Sequence, residues 1–173
     1  PITPQIDAFA GRSTVYERMY SMASFTPKSL GPMMIGHYVS ETHRDREHYT
    51  HFYDANVFLA ERISAAGGRT MAAMCHHYFR WKTGFDQGFD VWDLSSIPEN
   101  SKDGAPTVTS DVLTDAAIGM LKGTRAEDIP ARSRFRAKRD TTHGTDGGRP
   151  ETDRFFAWFH YLDPHLPYGA PSC

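Results

Sequence analysis

Cysteine is scarce: only Cys75 and Cys173 occur in 173 residues, and the second is the last residue. Two thiols so placed make no disulfide framework, which excludes a stapled mini-scaffold and leaves the compartment open. No apolar run approaches the roughly 20 residues that cross a bilayer, so no membrane span is expected. No basic, apolar, small-residue leader stands at the N-terminus. An excess of one charge is also missing: 19 Lys and Arg stand against 21 Asp and Glu, a formal net charge of −2. That balance argues against nucleic acid or an anionic membrane surface as a general partner. Carboxylates form no convincing metal-binding cluster, and no internal repeat is found.

What is present is the apolar and charged content of an ordinary globular protein, long enough for one core, and a single domain over residues 1–173 is the expectation. Pro1 at the start, and an aromatic strand with its turn near the end, are expected of a piece lacking both flanks.

The stretch from Met22 to Tyr38, MASFTPKSLGPMMIGHY, is the most informative. Val15 to Met19 reads as a strand, Ser24 and Phe25 as a short turn, and Thr26-Pro27 as the opening of a helix that stops at Gly36. Thr26 is placed at the N-cap and Pro27 at the first helical position, where a missing N–H costs nothing. The first turn of a helix leaves N–H groups without partners and favours anions. Lys28 and Ser29 add a charge and a second hydroxyl, a cradle for a phosphate or sulfate ester with Thr26 as hydroxyl nucleophile. Taken alone, a Thr-Pro cap is usually only a cap.

Elsewhere the pattern alternates helix and strand. Thr3-Pro4 to Ala10 reads as a short helix ended by Gly11, and Asn56 to Ala66 as an amphipathic helix stopped by Gly67-Gly68. Arg69 to Cys75 is a short buried strand leading into His76-His77. In layered α/β folds, polar residues just past the carboxyl ends of strands are where ligands bind. His48 and His51, three apart in a polar loop, are read as solvated rather than as metal ligands. Phe85 to Asp93 reads as a packed aromatic turn. Thr109 or Ser110 caps a helix with Val112, Leu113, Ala116, Ala117, Met120 and Leu121 on its core face. Residues 125–154 read as a flexible, solvated surface loop, including the basic run from Arg132 to Arg139. Phe155 to His160, FFAWFH, reads as a strand buried on both faces, followed by a Pro-bracketed turn holding Asp163 and His165. The sites Thr26, His76/His77 and Asp163/His165 thus each follow an apolar strand. A hydroxyl beside imidazoles suits transfer of a phosphoryl or sulfuryl group.

The segments TPQIDAFAGRSTVYERMYSMAS, TPKSLGPMMIGHYVSETH, ANVFLAERISAAGGRTMAAMCHHYF, GFDQGFDVWD, TSDVLTDAAIGML and FFAWFHYLDPHLPY occur in this order. Together they resemble the sulfatase branch of the alkaline phosphatase superfamily over nearly the whole chain except the basic loop. The resemblance implies an α/β fold, a mixed, mostly parallel sheet with helices on both faces, of which the chain is an incomplete piece. It implies a hydrolase of sulfate or phosphate esters, on small-molecule, glycan or lipid substrates, with a divalent cation (Ca, Mg, Mn or Zn). Thr26 falls on the nucleophile position and would be a metal ligand; Ser29 falls on the motif's serine. Lys28 stands in place of the motif's proline and Leu30 in place of its arginine. Because Thr26 replaces the convertible Cys or Ser, formylglycine is not expected, and relatives that use a hydroxyl directly fit better. His77 matches the family's Lys-x-His histidine, with Cys75 in the lysine's place, and His165 matches its substrate-contacting histidine. Thr26, His77 and His165 are therefore the catalytic candidates and Lys28, Ser29 and His76 the substrate-binding ones. The family's metal carboxylates fall outside this stretch, so the piece alone is expected to be inactive. A non-catalytic, anion-binding relative is the alternative.

Overall fold

Arg69–Met74 forms β1, the middle strand of a three-stranded sheet ordered β2, β1, β3, with β2 at Val91–Asp93 and β3 at Phe155–His160. The structure, a computed structural model, describes residues 2–80, 82–97, 110–122 and 154–162. Both pairings are parallel, with Ala73 opposite Asp93 on one side and Met74 opposite His160 on the other. Parallel neighbours require crossover connections, and this is the α/β class that the alternation of helix and strand predicts.

Side chains alternate across the sheet, so each strand feeds two cores. On one face Ala72, Met74 and Trp92, with Phe156 and Trp158, join Phe52, Phe58, Phe79 and Phe85. Met34 and Ile35 of α2 (Thr26–Ile35) and Ala60 of α3 (Leu59–Ala65) close that layer. On the other face Met71, Ala73 and Cys75 pack with Val91, Ala157 and Phe159 against Leu113 and Met120 of α4 (Ser110–Leu121). Helices therefore cover both faces of β1.

In α4 the buried residues are Leu113, Ala117 and Met120. Val112 and Leu121, expected on the core face, are half exposed, at 49% and 51%. A turn of roughly 100° per residue carries both to the margins of the stripe that Leu113, Ala117 and Met120 define. The first helix, α1 (Pro4–Ala10), ends before Gly11 as expected, but none of its residues is buried, and its apolar Ile6 and Phe9 are exposed.

Three other expectations are corrected. Residues Val15 to Met19 are not a strand: no strand or helix spans 12–25, and Val15, Tyr16, Met19 and Tyr20 are exposed. Alternation supplies a face but not a pairing neighbour, and β1 is flanked by β2 and β3 instead. The Phe85 to Asp93 stretch is a turn only in its first part, where Gly88 takes a φ of 80° as Gly84 does just before it, and its end is β2. Finally, β3 is not buried on both faces; Phe155 is exposed and the other five residues are partly buried. Among the described residues β3 is a sheet edge, paired only with β1, and the helices sit chiefly over β1. The expected loop at 125–154 lies outside the described residues apart from Arg154.

Candidate functional site

Helix α2 begins one residue earlier than the sequence suggests. Phe25 is extended, with φ −124° and ψ 131°, and its carbonyl accepts the Ser29 N–H at 3.0 Å, so Phe25 is the cap and Thr26 the first helical residue. No side chain makes the capping bond, which leaves the Thr26 hydroxyl uncommitted to that task. The first turn then offers the backbone N–H groups of Thr26 and Lys28, Pro27 between them having none. At the other end Gly36, with φ 80°, stops the helix by donating its N–H to Pro32 at 2.7 Å.

Thr26, Ser29 and Leu30 line a shallow pocket of about 260 Å³ together with the preceding turn, Ala23 to Phe25, and His160 from the carboxyl end of β3. The Ser29 hydroxyl is held by Ser21, whose Oγ lies 2.7 Å away. Ser21 in turn donates to the Ala23 carbonyl at 2.6 Å, so Ser29 is the donor in the pair. The Thr26 hydroxyl, the Thr26 backbone N–H and an imidazole are thus gathered around one space, with the Ser29 proton already given to Ser21. That set can hydrogen-bond the oxygens of a small anion.

His160 is the residue that sequence reasoning missed. The aromatic run FFAWFH hides it, although its position at the end of a strand, in step with Phe156 and Trp158, is the signal that marks it. Its ring lies 5.0 Å from that of Phe79 and 5.9 Å from that of Trp158. Burial among these rings pushes its pKa down to about 4, so the imidazole is neutral at pH 7.

The expected pair after β1 is in place but is not part of the pocket lining. His77 opens a short 3-10 turn, His77–Arg80, and is buried, with its ring 4.3 Å from that of His76. Burial first, and the Arg80 charge second, lower the His77 pKa and favour the neutral ring. His76 accepts the Tyr78 N–H at Nδ1, 3.1 Å away, which puts the proton of the neutral ring on Nε2. A file of rings joins His77 to the pocket margin: His77 to Tyr49 at 6.0 Å, Tyr49 to His48 at 4.9 Å, and His48 to Phe25 at 4.5 Å. Lys28, partly buried on α2, is likewise not in the lining. His165 and Asp163 lie outside the described residues.

His48 and His51 lie outside any helix, in a loop as expected. Among the described residues no group of three or more His, Cys, Asp or Glu is arranged to hold a metal ion. Thr26 Oγ is a suitable hard donor, but these residues do not complete a cation site around it. No helix among the described residues is long and apolar enough to cross a membrane. Comparison with protein-family models, curated proteins and solved structures finds no match to this chain.

Proposed function

We propose that the chain is part of a sulfatase-like hydrolase of sulfate or phosphate esters, with an alkaline phosphatase-like fold and Thr26 as the nucleophile. The observation that carries this reading is the shared pocket of Thr26, Ser29 and His160, built from a helix start and the carboxyl end of a parallel strand. Ligands of layered α/β folds bind at such a place. The ordered segments of the sequence that resemble the sulfatase branch support the same reading.

On this reading the ester lies against the first turn of α2. The backbone N–H of Thr26 meets its oxygens, and Lys28, on the same turn but outside the lining, adds positive charge nearby. Thr26 Oγ passes its proton to a neutral imidazole and bonds to sulfur or phosphorus as the bond to the leaving oxygen breaks. That imidazolium returns the proton to the leaving oxygen, the acid role that the resemblance gives to His165, while His77 and His76, outside the pocket lining, stand behind the Tyr49 and His48 rings. Water then cleaves the Thr26 ester. The divalent cation belongs to the reading with its remaining ligands supplied from outside residues 1–173, and it would lower the pKa of a hydroxyl and neutralise ester oxygens. Substrates are small-molecule, glycan or lipid esters, and nucleic acid is not among the partners.

The test is turnover of sulfate and phosphate mono- and diesters by the full-length protein with divalent cations. Thr26→Ala is expected to lower kcat by at least about a thousandfold, as loss of a nucleophile does. Unchanged turnover would sink the assignment. One observation favours a second reading, a non-catalytic anion-binding relative: Leu30 lines the pocket where the family carries arginine. Tight binding of esters without turnover would select it.

A further inference from the structure

We infer that His160 contacts the anion held in the Thr26 pocket, donating an imidazole N–H to its oxygens from the wall opposite α2. The inference rests on reading that pocket as an ester site.

Its first support is placement. Residue parity along β3 puts His160 on the face shared by Trp158 and by Met74, its partner in register, and that face is the one closed by α2. His160 is also the last residue of β3, where the strand stops and the pocket opens. The second support is orientation. Phe79 and Trp158 meet its ring edge-on, at interplanar angles of 72° and 79°, so two walls restrict the plane of the imidazole. The third is chemistry: a neutral imidazole keeps one N–H donor, which meets an anion's oxygen without needing a proton from solution. Leu30, in the same lining, brings no donor at all. His160 therefore supplies from the strand side what the helix side lacks at that position.

The experiment uses the full-length protein with its divalent cation, and inorganic sulfate and inorganic phosphate as probes. Affinities are measured by calorimetry for the wild type, His160→Phe and His160→Gln, and the His160 imidazole resonances are followed by NMR during a sulfate titration of the wild type. His160→Phe is expected to weaken anion binding about tenfold, the worth of one hydrogen bond of ~1.4 kcal/mol. His160→Gln, which keeps an N–H donor, is expected to stay within about threefold of wild type, and the wild-type resonance to move on binding. Equal affinity in His160→Phe, or a stationary resonance while sulfate binds, overturns the contact and leaves the ester-site reading standing. If neither anion binds the wild type, the ester-site reading falls and takes the contact with it. Should His160→Phe not fold, the wild-type resonance decides.

Discussion

Gly31 of α2 rests on the ring tip of Phe52: a Cβ built on the glycine would stand 2.1 Å from Cζ and 2.6 Å from both Cε atoms. Phe52 is fully buried, and Phe58 and Phe85 meet it edge-on at 6.2 and 5.4 Å, so its ring has little room to retreat. This contact sets how closely α2 approaches the aromatic layer. It therefore sets where Thr26 and Ser29 stand.

Gly31→Ala puts two effects in competition. Helix propensity favours alanine by about 1 kcal/mol, whereas overpacking a rigid core costs about 1–3 kcal/mol. With backbone on one side and a fully buried ring on the other, the clash wins. Denaturant unfolding is expected to show a net loss of about 1–2 kcal/mol, and a more stable variant would contradict this account of how α2 is seated.

Thr70 ties β1 to the turn before β2. Its side chain is fully buried; its Oγ1 donates to the Gly88 carbonyl at 2.7 Å and accepts the Asp90 N–H at 2.9 Å. Thr70→Val keeps the shape and strands those groups, so a loss of about 1–3 kcal/mol is expected. Thr70→Ser keeps the hydroxyl and should lose less. Serine proving the worse substitution would show that packing, not hydrogen bonding, holds this junction.

Asn56 is a buried staple in the loop ahead of α3. It accepts the His43 N–H at 2.9 Å and donates to the carbonyls of His43 and Tyr53 at 2.6 and 2.8 Å. Asn56→Ala should lower the melting temperature through a loss of about 2 kcal/mol. Asn56→Asp should be at least as damaging, because a carboxylate would face two carbonyl oxygens with no proton to give. If aspartate were tolerated like wild type, the two donations from the amide would not be what holds this loop.

The neutral His160 predicts a pH dependence of stability. Its pKa is about 4 in the folded chain against an ordinary value of 6.5, so between these values the unfolded chain binds the extra proton. Stability must then rise with pH across that window, and acid must erode it, by up to about 3 kcal/mol when protonation is complete. His160→Gln should flatten the slope between pH 6.5 and 4 in denaturant titrations of both chains. An unchanged slope would mean that the imidazole stays hydrated.

Much of the frame is legible in the sequence because it depends on local pattern. The apolar run of β1 after Gly67-Gly68, the aromatic run of β3 and the stripe of α4 each announce themselves over six or more residues. The Gly36 stop of α2 is equally local: glycine bears the φ of 80° there without a Cβ penalty. So the α/β class, and hydroxyls at the start of α2, follow from residue order alone, while the parallel direction of the pairing is seen only in the structure.

Other features depend on contacts distant in sequence. Three residues, Val91 to Asp93, are too few to show a period, and they become a strand only because β1 offers an edge. Val15 to Met19 alternates well but gains no neighbour, and backbone pairing rather than pattern makes a strand. Thr26 yields the cap to Phe25 because the first intrahelical bond runs from Ser29 to Phe25. His160 looks like one more aromatic in a core strand until the register with Met74 and the packing of α2 bring it to the pocket of Thr26. Local order determined which elements form and which polar groups stand at their ends. Only the tertiary structure decided which ends meet, because that choice is made by burial and pairing between segments far apart in the chain.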